Sequence, residues 1–261
     1  LSRPIRIAVD LQPQHAEFAS IRRAVVRAEE MGADIVFNWD HFFPLSGDPS
    51  GKHFESWTML GSWAEITERV EFGPLVTANS YRNPDLVADM ARTIDHASNG
   101  RFILGMGAGW AVRDYDEYGY EFGTAGSRLA DLERSLRRIE DRFEKLNPPP
   151  TRHIPILIGG GGEKKTLRYT ARHADIWHGF GRPDTIRHKN GVLDDWCASI
   201  GRDPAEIERS CGANPDRPES GDGYVDAGAT LITVGFDGRS DYDLAPLADW
   251  LAWRDERNAA R

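Results

Sequence analysis

Asp40 and His41 stand together in Asn38-Trp39-Asp40-His41-Phe42-Phe43, a polar and aromatic cluster that follows the apolar run at 34–37. An imidazole titrates near pKa ~6.5, so His41 suits proton donation or acceptance at neutral pH, and Asp40 could orient it. A surface histidine after a strand is the plain alternative, since one histidine is a weak signal. Glu55, at the start of the next helical pattern, is a second acid or simply a helix-start residue. His-Glu-x-x-His is absent, and His15, His53, His96, His153, His173, His178 and His188 are spread over different elements, which disfavours metal catalysis. No Gly-x-Ser-x-Gly elbow supports hydrolase chemistry.

A second kind of chemistry is written in Ile154-Pro-Ile-Leu-Ile-Gly-Gly-Gly-Gly-Glu-Lys-Lys-Thr166. Residues 155–158 read as a buried parallel strand, and Gly159, Gly160, Gly161 and Gly162 let a ligand come close to backbone. A helix is expected from 163, its free N–H groups and positive dipole end facing the glycines, with Lys164 or Lys165 adding charge. The natural guest is a phosphate; a merely flexible turn is the alternative. Lys164 stands where a Walker A loop needs glycine, so this is not that motif. Gly105-Met-Gly-Ala-Gly109 is no dinucleotide fingerprint either, because Trp110 occupies the place of the third glycine.

These residues must be positioned by a chain that alternates strand and helix eight times. Strands are expected over 5–10, 34–37, 70–78, 100–107, 155–158, 174–178, 207–212 and 229–235. Helices follow: one ending at Gly32, then 54–69, 85–98, a strongly amphipathic one carrying Leu129, Leu132, Leu136, Ile139, Phe143 and Leu146, then 163–173, 183–200 and 244–257. A long polar loop is expected after Trp110, and only a short helix within 214–223. The alternation predicts one domain over 1–261, a single parallel eight-stranded (β/α)8 barrel of the TIM type, with its active site at the carboxyl ends of the strands. Asp40-His41, Thr77 to Asn79, Gly107 to Trp110 and the glycine cradle would then share one mouth. Barrel phosphate sites commonly follow strands seven and eight, whereas this cradle follows strand five.

A net charge of −9 and a pI near 5.4 disfavour nucleic acid and anionic membrane as partners. No apolar run approaches the ~20 residues of a membrane span. No cleavable leader is visible, and the chain enters its first strand without a methionine, which reads as a trimmed start. Cys197 and Cys211 lack metal spacing and are too few for a disulfide framework, so a cytoplasmic setting is expected.

Taken together, Asp40-His41, Phe54-Glu55-Ser-Trp57, Val76-Thr-Ala-Asn-Ser-Tyr-Arg-Asn-Pro84, Gly100-Arg-Phe-Ile-Leu-Gly-Met-Gly-Ala-Gly-Trp110, Tyr118-Gly119, the 155–166 cradle and Ala198-Ser-Ile-Gly-Arg-Asp-Pro-Ala-Glu-Ile-Glu208 resemble the luciferase-like monooxygenase superfamily, in particular its F420-dependent oxidoreductase branch. The resemblance covers nearly the whole chain. It implies a tricyclic cofactor across the mouth, coenzyme F420 with FMN as the alternative, its phosphate on the cradle and neutralised by Lys164, Lys165 and Arg168. It implies that His41 stands beside the reactive carbon, that Thr77, Ala78, Asn79, Gly107, Ala108 and Gly109 border the rings, and that the Ala78-Asn79 turn carries a bulge and a non-proline cis peptide. Trp39, Trp57 and Trp110 could wall the pocket, although tryptophans more often pack in a core.

The implied activity is hydride transfer between F420 and a small organic substrate. Flavin monooxygenase or reductase chemistry, or a non-catalytic F420-binding protein, are the alternatives, and a homodimer is the implied assembly. Three departures matter, the first being that many relatives carry a longer acidic run with a histidine before the Tyr-Gly, where this chain has Ala111-Val-Arg-Asp-Tyr115. Trp110 replaces the acid that sugar-phosphate-oxidising relatives carry after Gly-x-Gly, and the family's insertion is reduced to residues 147–153, which would leave the mouth more open.

Overall fold

The computed structural model describes residues 3–260. Among them nine strands form one sheet in which every pairing is parallel: β1 (Arg6–Gln12), β2 (Ile35–Asn38), β3 (Glu71–Pro74), β4 (Thr77–Ala78), β5 (Leu104–Gly107), β6 (Ile156–Gly159), β7 (Ile176–Gly179), β8 (Glu208–Ala213) and β9 (Leu231–Asp237). Their order is β3-β2-β1-β9-β8-β7-β6-β5-β4. Phe72 and Phe102 bridge the two ends, the Phe72 N–H donating to the Arg101 carbonyl at 3.1 Å and the Ile103 N–H to the Phe72 carbonyl at 2.9 Å. The result is a nearly closed (β/α)8 barrel of the TIM type.

The ninth strand arises because the single third strand expected over 70–78 is broken. A non-proline cis peptide at Leu75–Val76 separates β3 from β4, and it lies here rather than at Ala78-Asn79, where residues 79–81 instead make a short 3₁₀ turn. Glycine is required on both sides of the seam. A Cβ on Gly73 would overlap the Ile103 carbonyl and one on Gly105 the Pro74 carbonyl, so the two chains approach at backbone distance.

Side chains alternate across the strands, and the two faces have different fates. On β1, Ile7, Val9 and Leu11 join the large core shared with the helices, whereas Ala8 turns into the lumen with Ile35, Phe37, Ile103, Leu157, Ile176 and Leu231. The same parity aims Asp10, His178 and Thr233 inward, one layer nearer the carboxyl ends. At the opposite end of the barrel, Arg6 pairs with Glu208 and, at 2.7 Å, with Glu71, which also holds Arg152 at 2.8 Å. These charges line a cavity of about 400 Å³ and largely satisfy one another.

The helices are α1 (Phe18–Met31), α2 (Ser56–Ile66), α3 (Pro84–Ala97), α4 (Val112–Tyr118), α5 (Ala125–Phe143), α6 (Thr166–His173), α7 (Pro183–Ser199), α8 (Gly221–Asp226) and α9 (Ala245–Ala259). Gly32 ends α1 in the left-handed conformation its position requires. The expected polar loop after Trp110 contains α4 instead, seated by an aromatic cluster. Phe42 stacks on Tyr118 at 3.9 Å between centroids, Tyr81 on Tyr120 at 5.3 Å, and Tyr115 meets Phe122 edge-on at 4.9 Å. A Thr124/Ser127 capping box starts α5 four residues before Leu129. α6 begins at Thr166, later than 163, after a turn that extends the glycine segment.

The seam makes a testable contrast between two glycines. Gly73→Ala is expected to lower stability in urea by about 1–3 kcal/mol, because no flexible side chain can yield to the added methyl. Gly61→Ala, inside α2 with nothing within 4 Å of the added atom, is expected to raise it by about 0.5–1 kcal/mol. A neutral Gly73→Ala would mean that β3 and β5 do not meet so closely.

Candidate active site

His41 is buried just beyond β2, and its partner is not Asp40. Its Nδ1 lies 2.6 Å from Oδ2 of Asp114, in the first turn of α4. That carboxylate also accepts from the Tyr81 hydroxyl at 2.8 Å and from the Phe42 N–H at 3.2 Å. Burial pushes the Asp114 pKa up, but the hydrogen bonds from His41 and Tyr81 outweigh it and hold the group below the usual carboxylate range. Burial and Asp114 together raise the Tyr81 phenol, which therefore stays a donor. Because a carboxylate only accepts, Nδ1 must carry the proton. Nε2 is left without a hydrogen-bond partner among the described residues, on a ring that lines the mouth.

Asp40 serves a different purpose. Its carboxylate accepts from both terminal nitrogens of Arg82, at 2.6 and 3.1 Å, and Arg82 also reaches Glu55 at 2.5 Å. Burial raises the Asp40 pKa against the pull of the guanidinium. Glu55 caps α2, accepting from Trp57 N–H at 3.1 Å and Thr58 N–H at 2.6 Å. Partial burial works to raise the Glu55 pKa, but those bonds and Arg82 bring it below its ordinary value. Arg82 thus ties the end of β2 to the start of α2 through two acids, and Glu55 does not line the mouth. Thr77 is also committed, accepting from the Trp57 indole N–H at 3.0 Å, and Asn79 is buried away from the cavity walls.

A cavity of about 270 Å³ opens beside His41. Gly107, Ala108, Gly109, Gly159 and Gly160 wall it with backbone, Leu75, Val76 and Ala78 contribute from the broken strand, and Asp40, Thr166, His178, Trp110 and Phe180 complete it. Several of the expected glycines are explained by the protein itself. A Cβ on Gly107 would lie 2.6 Å from Val76 and one on Gly159 3.1 Å from it, while the space at Gly109 belongs to the Tyr115 hydroxyl. Gly160 has φ +119°, which favours glycine for conformational reasons.

The cradle is built with cations other than those expected. No side chain caps the start of α6; the Leu167 N–H is taken by the Gly162 carbonyl at 3.0 Å, and the Thr166 N–H, with no partner among the described residues, is left for an anion. Thr166 lines the cavity there, with Gly161 and Gly162 farther out. Lys164 and Lys165 are exposed beyond the walls. Arg168 turns to Glu133 at 3.8 Å, away from the mouth. Lys189 of α7 instead comes within 3.7 Å of where a Gly161 Cβ would be, and binds Glu163 at 2.5 Å. His188 also holds Glu163, at 3.0 Å, so the acid inside the cradle is paired, its pKa lowered by those two bonds.

A second chamber of about 520 Å³ shares His41, Leu75, Trp110, His178 and Phe180 with the first and extends over β1, β8 and β9. Burial pushes the His178 pKa down to about 4, so it is neutral at pH 7, with Nδ1 2.9 Å from the Ser210 hydroxyl. Burial alone pushes Asp10 up to about 7. Its Oδ1 is sealed from solvent without a hydrogen-bond partner, as is the Thr233 hydroxyl. Among the described residues no group of three or more His, Cys, Asp or Glu side chains could hold a metal ion, and no helix is long and apolar enough to cross a membrane.

The sequence pattern of the luciferase-like monooxygenase family matches residues 2–215. The chain belongs to the luciferase-like monooxygenase family. An uncharacterized relative in Mycobacterium tuberculosis is 27% identical over 231 residues, covering 80% of this chain and 81% of that protein. The F420-dependent glucose-6-phosphate dehydrogenase of Amycolatopsis mediterranei is 32% identical over 169 residues, 58% of this chain but only 50% of that enzyme. In fold, an F420-dependent secondary alcohol dehydrogenase in complex with an F420-acetone adduct superposes with a TM-score of 0.87 at 15% identity, over 97% of this chain and 99% of that one. The coenzyme F420-dependent tetrahydromethanopterin reductase of Methanopyrus kandleri gives 0.74, also at 15%, over 94% and 98%.

Within this luciferase-like barrel, sequence reasoning missed His178 and Asp10 as linings of the mouth, and Asp114, Arg82 and Lys189 as the partners of His41, Asp40 and Glu163. Arg82 is the most readily tested. Arg82→Ala strands a buried carboxylate at Asp40 and is expected to cost about 3–5 kcal/mol; adding Asp40→Asn should recover much of it. Simple additivity of the two losses would disprove the coupling.

Asp10 has a stability signature of its own. Its folded pKa, about 7, lies above the ordinary 3.8, so the folded state holds the proton more tightly. The group's contribution is favourable at low pH and is lost as pH rises from about 4 to 7. Asp10→Asn should remove that slope and raise stability at pH 8 by on the order of 3 kcal/mol. Parallel stability–pH curves for the two proteins would rule out the raised pKa.

Proposed function

We propose that this chain is an F420-dependent oxidoreductase, moving hydride between the deazaflavin and a small organic substrate. The observation that carries the reading is His41, held by Asp114 with one ring nitrogen uncommitted, on the boundary between a glycine-walled cavity and a second chamber. Support for F420 comes from the F420-dependent glucose-6-phosphate dehydrogenase relatives, 32 and 33% identical over 58% of the chain.

The cavity suits such a cofactor. Its walls are largely backbone, Gly160 holds a conformation that favours glycine, and the start of α6 has no side-chain cap that would compete with an anion, with Thr166 and Lys189 at hand. Gly159, Gly160, Thr166 and Lys189 would hold a phosphate, and Ala78, Gly107, Ala108 and Gly109 would border the rings. When bound, the deazaflavin supplies or accepts a hydride. The chain's own part is to keep the reacting carbons within about 3–3.5 Å and to move a proton at His41 Nε2. Asp114 fixes the imidazole's tautomer and offsets the positive charge that forms when Nε2 takes up a proton. Trp110, 64% exposed, puts an indole on the rim, which does not favour oxidation of a sugar phosphate.

FMN is the second reading, with oxygen as the oxidant of reduced flavin, because the family is that of luciferase-like monooxygenases. A homodimer and a cytoplasmic setting belong to the same proposal, the latter supported by two free, buried cysteines.

A paired titration with F420 and FMN, followed by tryptophan and cofactor fluorescence, tests the assignment. Tight binding of F420 alone, lost in Gly161→Asp, is the expected result. Preference for FMN with oxygen consumption would transfer the function to flavin chemistry. His41→Ala should lower turnover by about 10²–10⁴-fold with little change in bound F420, and Asp114→Asn by a smaller factor. Unchanged turnover in His41→Ala would remove it from the mechanism.

A further inference from the structure

The second chamber combines features that the transfer of a hydride does not need. Asp10 reaches it from β1, in register with Phe37 of β2 and Gly235 of β9. No hydrogen bond to either carboxylate oxygen is found among the described residues, and Oδ1 is sealed from water. The residues that line the chamber include no lysine or arginine. The nearby cations are already engaged: Arg82 by Asp40 and Glu55, and Arg239 by Asp237. His178 is held neutral by burial. Around this one acid the chamber is aromatic, with Trp39, Trp110, Phe180 and Tyr224, of which Trp110 and Phe180 are 64 and 66% exposed.

A carboxyl without a partner in such surroundings is costly. Its position satisfies neither a fold contact nor an anionic ligand. Aromatic faces attract cations, the more strongly the drier the site, and a carboxylate adds a direct ion pair. We propose that this chamber receives the substrate and that Asp10, among Trp39, Trp110, Phe180 and Tyr224, selects a molecule carrying a positively charged nitrogen, an amine or quaternary ammonium. A carboxylate or phosphate substrate would meet only repulsion from Asp10. A neutral substrate would leave an ionised acid unpaired.

The inference rests on reading the neighbouring cavity as the cofactor's, because only then is this chamber the substrate half of the mouth. The test uses four probes of one shape: benzylamine, benzyltrimethylammonium, benzyl alcohol and benzoate. Each is titrated at pH 8 into the protein alone and into the protein with F420, with tryptophan fluorescence reporting occupancy beside Trp39 and Trp110. The two cations should bind at least tenfold more tightly than benzyl alcohol, and benzoate more weakly than the alcohol. Asp10→Asn should bring the cations down to the affinity of the alcohol without altering the alcohol's own.

Equal affinity of cation and alcohol in the unaltered protein, preference for benzoate, or an undiminished cation preference in a folded Asp10→Asn would each overturn the inference. The unaltered protein decides the first two without any variant. Cation preference in a protein that binds no F420 would keep the cationic site and discard the cofactor reading. F420 binding with no cation preference would do the reverse.

Discussion

The seam between β3 and β5 is the constraint from which the mouth follows. Gly73 and Gly105 bring two backbones within carbonyl contact, a separation that no side chain allows. This approach closes the barrel through the Phe72–Phe102 bridge and leaves the chain between β3 and β4 turned over the lumen. Val76 then fills the space left free by Gly107 and Gly159, so the floor of the cavity is an apolar side chain set between two glycine strands. Glycines that look like a landing for a cofactor are in part a landing for Val76. The segment that closes the fold also shapes the site, so changes at the seam act on both.

Three aspartates near the mouth show how environment divides one chemistry into separate tasks. Asp114 receives three donors and stays ionised, which makes it the fixed charge behind His41. Asp40 is more deeply enclosed but holds Arg82 in a two-pronged contact and so acts as a tie between β2 and α2. Asp10 has no hydrogen-bond partner or ion pair among the described residues. The balance of burial, nearby charge and hydrogen bonding differs at each, and the ordering of partners, from three to one to none, runs from positioning through architecture to recognition.

Much of the architecture was legible because it repeats. Helical spacing from Leu129 onward and eight apolar runs separated by helical patterns are enough for a parallel barrel, and the barrel places every strand's carboxyl end at one mouth. The break at Leu75–Val76 had one signal that an unbroken strand over 70–78 passes over: Pro74, which cannot donate to a sheet ladder and argues against a continuous inner strand. His41 could be found from its neighbours in sequence, but its partner is 73 residues away on a seven-residue helix, too short to show periodicity. The signal for α4 was the tyrosines at 115, 118 and 120, whose company with Phe42 and Tyr81 exists only in the fold. Asp10 was hidden differently: it ends an ordinary strand, and only the parity that sends Ala8 into the lumen reveals that it too points inward.

The cradle illustrates why local sequence overstates some charges and conceals others. Lys164, Lys165 and Arg168 follow the glycines directly, yet a helix turns successive residues by about 100°, so neighbours in sequence cannot all face one ligand. Arg168 is carried round to Glu133, and the nearest cation comes from another helix, where Lys189 leans across to Glu163. Glu163 would repel an anion if unpaired, but His188 and Lys189 pin it and leave the helix N-terminus as the dominant field. In a chain with net charge −9, what the cradle offers an anion is therefore local: the start of α6 and one lysine from another helix, itself paired with Glu163. On the far side of His41, the second chamber is lined by one unpaired acid and no lysine or arginine. His41 lines both halves, with the start of α6 and Thr166 on one side and Asp10 on the other.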